Sequence, residues 1–197
     1  ILSRFPIRRA ENFTIHVCKD KFQSSEKRLG HKKALWAELE TPFGPLAVAT
    51  AHLDSTASSA QRAAQLADLL GLLERRGVQQ RAVIGGDFNT TTYDVKSIGQ
   101  LLGNLTRKLL RGGFPHAMYH YLHPEELYER PIFDLLERHG FDYQRFNALG
   151  VGTTRYEVGS SHSENAVRDQ LPELAIKILR YKLRPWNGVA EIKLDWL

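Results

Sequence analysis

Residues 82–90 read Ala-Val-Ile-Gly-Gly-Asp-Phe-Asn-Thr, and this run constrains the fold more than any other stretch of the chain. A short apolar segment bounded by turn residues is a buried strand. Two glycines at its end permit close backbone approach or a positive φ. Asp87 and Asn89 stand two residues apart, so an extended chain projects both to one side. One is an acceptor and a candidate base; the other carries an amide donor and a carbonyl acceptor. Such a pair at the mouth of a sheet suits water activation and phosphate binding. Upstream, Leu46–Leu53 reads as a second strand. Between the two strands Ala63, Leu66, Leu70 and Leu73 recur at helical spacing, Ala67 and Leu69 widen the stripe, and Gly77 stops it. Serines over residues 55–59 offer N-caps. Strand, helix, strand in this order predicts an α/β unit.

The remaining elements build around that unit. Residues 1–7 predict a short strand, with Pro6 limiting its pairing. Residues 10–30 run into a polar, charged loop. Ala34–Leu39 alternates as a strand. A Thr41-Pro42-Phe43-Gly44-Pro45 turn joins it to Leu46–Leu53 in a hairpin that ends at His52. Amphipathic helices are expected over Ile98–Leu109, over Glu129–Gly140 with Pro131 near its start, and over Leu171–Leu183. Val189–Leu197 is expected to close the chain as one alternating strand. A length of 197 residues supports one core and a single domain over 1–197.

The formal net charge is +5, which tolerates polyanions such as nucleic acid or anionic headgroups. The basic residues are scattered, as at Arg8-Arg9, Lys27-Arg28, Lys32-Lys33 and Arg107-Lys108. Cys18 is the one cysteine, so no intrachain disulfide forms. No apolar run reaches the ~18 residues of a membrane span, and a monomer is expected. No signal-peptide pattern is visible, but the chain begins at Ile1 and stops at Leu197 inside a strand. It is expected to be a piece cut at both ends, which leaves the compartment open.

Three strand ends carry polar residues: His52 with Asp54, Asp87 with Asn89, and Asp195. Strand ends are where open α/β sheets place their sites. Together with Ile1-Leu2-Ser3-Arg4-Phe5-Pro6-Ile7, the strings Ala51-His52-Leu53, Gly85-Gly86-Asp87-Phe88-Asn89-Thr90 and Lys193-Leu194-Asp195-Trp196 occur in one order along nearly the whole chain. In these motifs the chain resembles the endonuclease/exonuclease/phosphatase superfamily. The resemblance implies a deoxyribonuclease I-like four-layer α/β sandwich, two mixed sheets face to face with helices outside. It implies hydrolysis of a phosphoester with Mg²⁺ or Mn²⁺. Asp87 would deprotonate the attacking water. Asn89 would bind a phosphate oxygen, or hold Asp87 and a metal-bound ligand. His52 would donate to a non-bridging oxygen, and Asp195 would orient a catalytic histidine. Asp87 and Asn89 are the candidate metal contacts, at a possible second site.

The resemblance also implies two features that this chain lacks: a metal-binding glutamate before Ser3, and a Ser-Asp-His motif after Asp195. The 197-residue piece is therefore expected to be inactive, and the parent protein an ordinary enzyme. Ser160-Ser161-His162-Ser163 does not replace the motif, because it precedes Asp195 and lacks the aspartate. Substrate class stays open between nucleic acid, lipid headgroup and inositol phosphate, with net charge tilting towards nucleic acid. A non-catalytic binding module on the same fold is the competing reading.

Several further residues carry two readings. Asp54 either touches a metal-bound water or starts the turn before the helix. Arg155, beyond Gly150-Val151-Gly152, either grips a substrate phosphate or is a surface arginine. Arg62, at the start of the helix, either reaches back towards the site or is solvated, and solvation is the default expectation. His116, His120 and His123 have metal-ligand spacing on a helix, but Pro115, Pro124 and the interleaved tyrosines favour a partly buried aromatic loop. Glu125 and Glu126 follow Pro124 in the first turn of a helix, where acids are favoured.

Overall fold

The computed structural model describes residues 1–16, 32–55, 57–90, 112–157 and 173–197, with isolated helical residues at 103, 106–107 and 110. Cys18, Lys27-Arg28, Ser160–Ser163 and most of the helix expected over Ile98–Leu109 lie outside the described residues.

The architecture is α/β. Five strands form a mixed sheet: β1 (Ile7–Thr14), β2 (Lys33–Thr41), β3 (Gly44–Ala51), β4 (Ala82–Asp87) and β7 (Asp195–Trp196), in the order β1-β2-β3-β4-β7. A two-stranded antiparallel ribbon joins β5 (Thr154–Glu157) to β6 (Val189–Ile192). The helices are α1 (Ser59–Arg75), α2 (Gly113–Leu122), α3 (Arg130–Arg138), the single turn α4 (Tyr143–Phe146) and α5 (Glu173–Lys182). None of the described helices is long and apolar enough to cross a membrane.

The hairpin forms as its turn chemistry dictates. β2 and β3 pair antiparallel from Ala34↔Ala51 to Thr41↔Gly44, and Gly44 takes a φ of +100° at the turn. α1 then carries the chain across, and β4 lies parallel to β3 with Val48 opposite Val83. That crossover is the predicted strand–helix–strand unit.

Ser58 is the N-cap of α1. Its hydroxyl accepts from the Gln61 N–H at 3.3 Å, and the Gln61 side chain accepts from the Ser58 N–H at 2.9 Å. Two N–H groups at the helix start are satisfied reciprocally. Ser58→Ala is expected to cost about 1 kcal/mol, read in thermal melts as a Tm lower by roughly 2–4 °C.

Leu66, Leu69, Leu70 and Leu73 of α1 are buried against Ala34, Trp36, Ala47 and Ala49 of the sheet. Ile132, Phe133 and Leu136 of α3 complete this core. The Phe133 ring lies edge-on to Trp196, centroids 4.5 Å apart, and tilted against Tyr143 at 4.7 Å. Trp196 thereby locks β7 onto the interior.

Five sequence expectations are corrected. The first strand starts at Ile7 rather than Ile1, because Pro6 has no N–H for the ladder and supplies only its carbonyl, to the Glu40 N–H. Ala67 is exposed and does not widen the buried stripe. The histidine segment is the helix α2, not a loop, because Pro115 falls in its first turn, where a missing N–H breaks no helical hydrogen bond. Glu125 and Glu126 belong to a single 3-10 turn, Pro124–Glu126. Val189–Leu197 is two strands. The Lys193 N–H leaves the ribbon for the Tyr121 carbonyl, and the Leu194 and Asp195 N–H groups both donate to the Thr153 hydroxyl at 3.0 Å. The chain switches there from the ribbon to the main sheet.

Candidate active site

β3, β4 and β7 bring His52, Asp87 and Asp195 to one end of the sheet. β4 and β7 are antiparallel, and Asp87 stands directly opposite Asp195. Side chains opposite each other in such a ladder share a face, with Cβ atoms roughly 4.5–5.5 Å apart. Like charges in that relation repel, so the position asks for a cation. His52, one residue past β3, supplies one when protonated: its Nε2 lies 3.5 Å from Asp87 Oδ2. The imidazole is 63% exposed and the Asp87 side chain 33%, so the pair is open to solvent.

Backbone contacts fix these ends to each other. The Leu53 N–H donates to the Asp87 carbonyl at 2.9 Å, and the Phe88 N–H donates to the Leu194 carbonyl at 2.9 Å. Trp196 Nε1 donates to the Thr90 hydroxyl at 3.0 Å, and that hydroxyl donates to the Lys193 carbonyl. Lys193 itself is buried, its ammonium 4.6 Å from the Trp196 ring centroid. Burial pushes the Lys193 pKa down, against the opposing pull of Glu125 and Asp195.

Asn89 leaves the strand alternation that places its side chain beside that of Asp87. Strand geometry ends at Asp87, and Asn89 takes a φ of +49°, so alternation no longer sets its direction. Its side chain is buried, and Nδ2 donates to the Leu53 carbonyl at 2.8 Å. Its backbone N–H donates to Asp87 Oδ1 at 2.8 Å. Asn89 is thus a bracket between the Asp87 carboxylate and the chain beside His52.

Asp54 is 2% exposed. Its N–H donates to Gln65 Oε1 at 2.9 Å, Gln65 Nε2 donates to its Oδ2 at 2.8 Å, and Lys32 Nζ lies 3.6 Å from its Oδ1. The carboxylate is engaged inward. Arg155 stands on β5 across from Glu191, 71% exposed, with its Nε 3.5 Å from the glutamate. Arg62, expected to be solvated, is instead 1% exposed and ion-paired to buried Glu129. A carboxylate 67 residues away, not the helix position, decides its place.

Sequence reasoning missed Gln65, Glu129 and Thr153. For the first a signal existed: Arg62 and Gln65 fall on the face that continues as Leu66, Leu69 and Leu73. Polar residues inside an apolar stripe are buried and need partners. Among the described residues no three His, Cys, Asp or Glu side chains converge as a metal cradle. His116 and His120 instead meet edge-on, ring centroids 4.4 Å apart, and His120 lies edge-on to Tyr128 at 5.2 Å.

No protein-family model and no curated protein matches the sequence. Among solved structures, the human Nocturnin catalytic domain with bound sulfate is similar at 24% identity over 44% of this chain and 31% of that one, with a TM-score of 0.32. SmcL is similar at 15% identity over 98% of this chain and 49% of that one, with a TM-score of 0.48. Beta toxin from Staphylococcus aureus is similar at 13% identity over 98% of this chain and 50% of that one, with a TM-score of 0.45. The chain spans half or less of the length of each.

Proposed function

We propose that Asp87, His52, Asn89 and Asp195 belong to the hydrolytic centre of a phosphoester hydrolase. The observation that supports this reading is the register of two carboxylates, Asp87 opposite Asp195, with the His52 imidazole against one of them. Phosphoester hydrolysis needs a base for water and donors for the charge that builds on phosphate oxygens. The Asp87 carboxylate, steadied by the Asn89 N–H, accepts the proton of the attacking water. Protonated His52 donates to a non-bridging oxygen as the new P–O bond forms. Asp195 serves as an acceptor that orients a histidine, and Asn89 holds Asp87 and the His52 strand end together. Arg155 enters this reading as an outlying substrate contact through its exposed guanidinium, whereas the buried Asp54 carboxylate faces Gln65 and Lys32 rather than substrate.

The described donors do not complete a metal site. Asp87 and Asp195 are hard oxygen ligands of the kind Mg²⁺ or Mn²⁺ takes, as is an asparagine Oδ1, but among the described residues no three His, Cys, Asp or Glu side chains come together as a metal cradle. Dependence on Mg²⁺ or Mn²⁺ rests on the sequence resemblance alone. The net charge of +5 favours a polyanionic substrate such as nucleic acid over a zwitterionic lipid.

The test is an assay of the full-length natural protein on plasmid DNA, short RNA, sphingomyelin and a generic diester, with Mg²⁺ and then with chelator. Turnover of at least one substrate is expected. His52→Ala is expected to lower kcat by roughly 10²- to 10³-fold, the loss typical of one oxyanion donor, with an unchanged circular dichroism spectrum. A His52→Ala protein at wild-type rate removes the assignment.

A further inference from the structure

We infer that Arg62 and Gln65 of α1, with Glu129, form a clamp that positions His52 for the reaction proposed above. Burying an arginine is costly unless it is paired and its donors are used. Arg62 meets both conditions in an unusual way. Nε and Nη2 make a two-pronged bond to the Glu129 carboxylate, and Nη1 donates to the Ala57 carbonyl at 2.6 Å and the Asp54 carbonyl at 3.3 Å. The helix therefore grips the backbone of the loop that follows His52.

Gln65, one turn further along α1, grips the same loop. Its carboxamide takes both the N–H and the carboxylate of Asp54, and its Nε2 also donates to the His16 carbonyl at 2.8 Å. From the other side Asn89 Nδ2 and Lys32 Nζ donate to the Leu53 carbonyl at 2.8 Å and 3.3 Å. Leu53, Asp54 and Ala57 are all buried, while His52 is left exposed beside Asp87. A loop held only to connect β3 with α1 needs no such set of side-chain bonds, since water would satisfy its carbonyls. The bonds converge on the residues next to His52 and set where its ring stands.

Arg62 touches no reacting atom, so it is a positioning residue, and the inference rests on the hydrolytic reading of the site. The test uses Arg62→Met/Glu129→Met, which replaces the ion pair by apolar chains of similar length, and Gln65→Met, which leaves that pair intact. Both are made in the full-length natural protein beside Asp87→Ala. Exchange of the Leu53 and Asp54 amides is expected to quicken at least about tenfold as the loop loosens. At matched folded fraction kcat is expected to fall by about 10- to 100-fold with KM little changed, the scale of outer-shell losses. Wild-type exchange and kcat in both variants, with Asp87→Ala dead, overturns the clamp alone. An Asp87→Ala protein that keeps its activity overturns the hydrolytic reading and with it the catalytic consequence of the clamp.

Discussion

Asp87→Ala is expected to lower kcat of the full-length natural protein by about 10⁴-fold, the upper range for loss of a positioned base, while the melting temperature barely moves. The two halves of this expectation come from different contacts. The carboxylate lies 3.5 Å from the His52 ring and accepts from the Asn89 N–H. Stability is set by opposing terms. The Asn89 N–H loses an acceptor, worth about 1 kcal/mol. Removing one of two like charges in cross-strand register returns roughly 0.2–1 kcal/mol. Asp87→Asn separates the terms further: it keeps an oxygen for the Asn89 N–H, relieves the repulsion, and should melt at or slightly above the wild type with kcat equally low. Kinetics and calorimetry on the two variants decide the matter. Activity retained in Asp87→Asn would mean that the carboxylate is not the base, whatever its position.

The parts of this arrangement that sequence could reach are those set by local pattern. The apolar run before Gly85 and the leucine stripe of α1 specify β4 and its covering helix, because both report burial through spacing. The turn at Gly44 specifies the hairpin and so the place of His52. What escaped was decided by distant partners. Arg62 falls on the apolar face of α1, but nothing local identifies Glu129 as the partner that lets it be buried there. The break between β6 and β7 depends on the Thr153 hydroxyl taking the N–H groups of Leu194 and Asp195. Asn89 was misdirected by extending the strand period past Asp87, where the positive φ ends it. The residues proposed to bear the chemistry stand at strand ends that spacing makes legible, and the side chains that hold those ends in place are not legible in that way.

Gly86→Ala is expected to destabilise the fold by about 3 kcal/mol or more, combining an overpacked contact with a strained φ, or roughly 6–12 °C in Tm. Gly86 has a φ of +148°, and a Cβ there would lie 2.1 Å from the Ala51 carbonyl oxygen and 3.0 Å from the Thr50 hydroxyl. The clash is with backbone, so no side-chain rotation relieves it. Ala51 is itself held opposite Ala34, which means its carbonyl moves only if the β2–β3 ladder opens as well. The same carbonyl precedes His52, and Gly86 precedes Asp87. Forcing these strand ends apart must also lengthen the 3.5 Å approach of the imidazole to the carboxylate. Gly77→Ala is the matched control, because Gly77 also has a positive φ, +66°, but nothing lies within 4 Å of its added Cβ. It should cost only the conformational strain of about 1–2 kcal/mol and leave kcat unchanged. Equal melting temperatures for the two variants would mean that β3 and β4 have slack at Gly86. In that case the glycine is not what lets His52 and Asp87 meet.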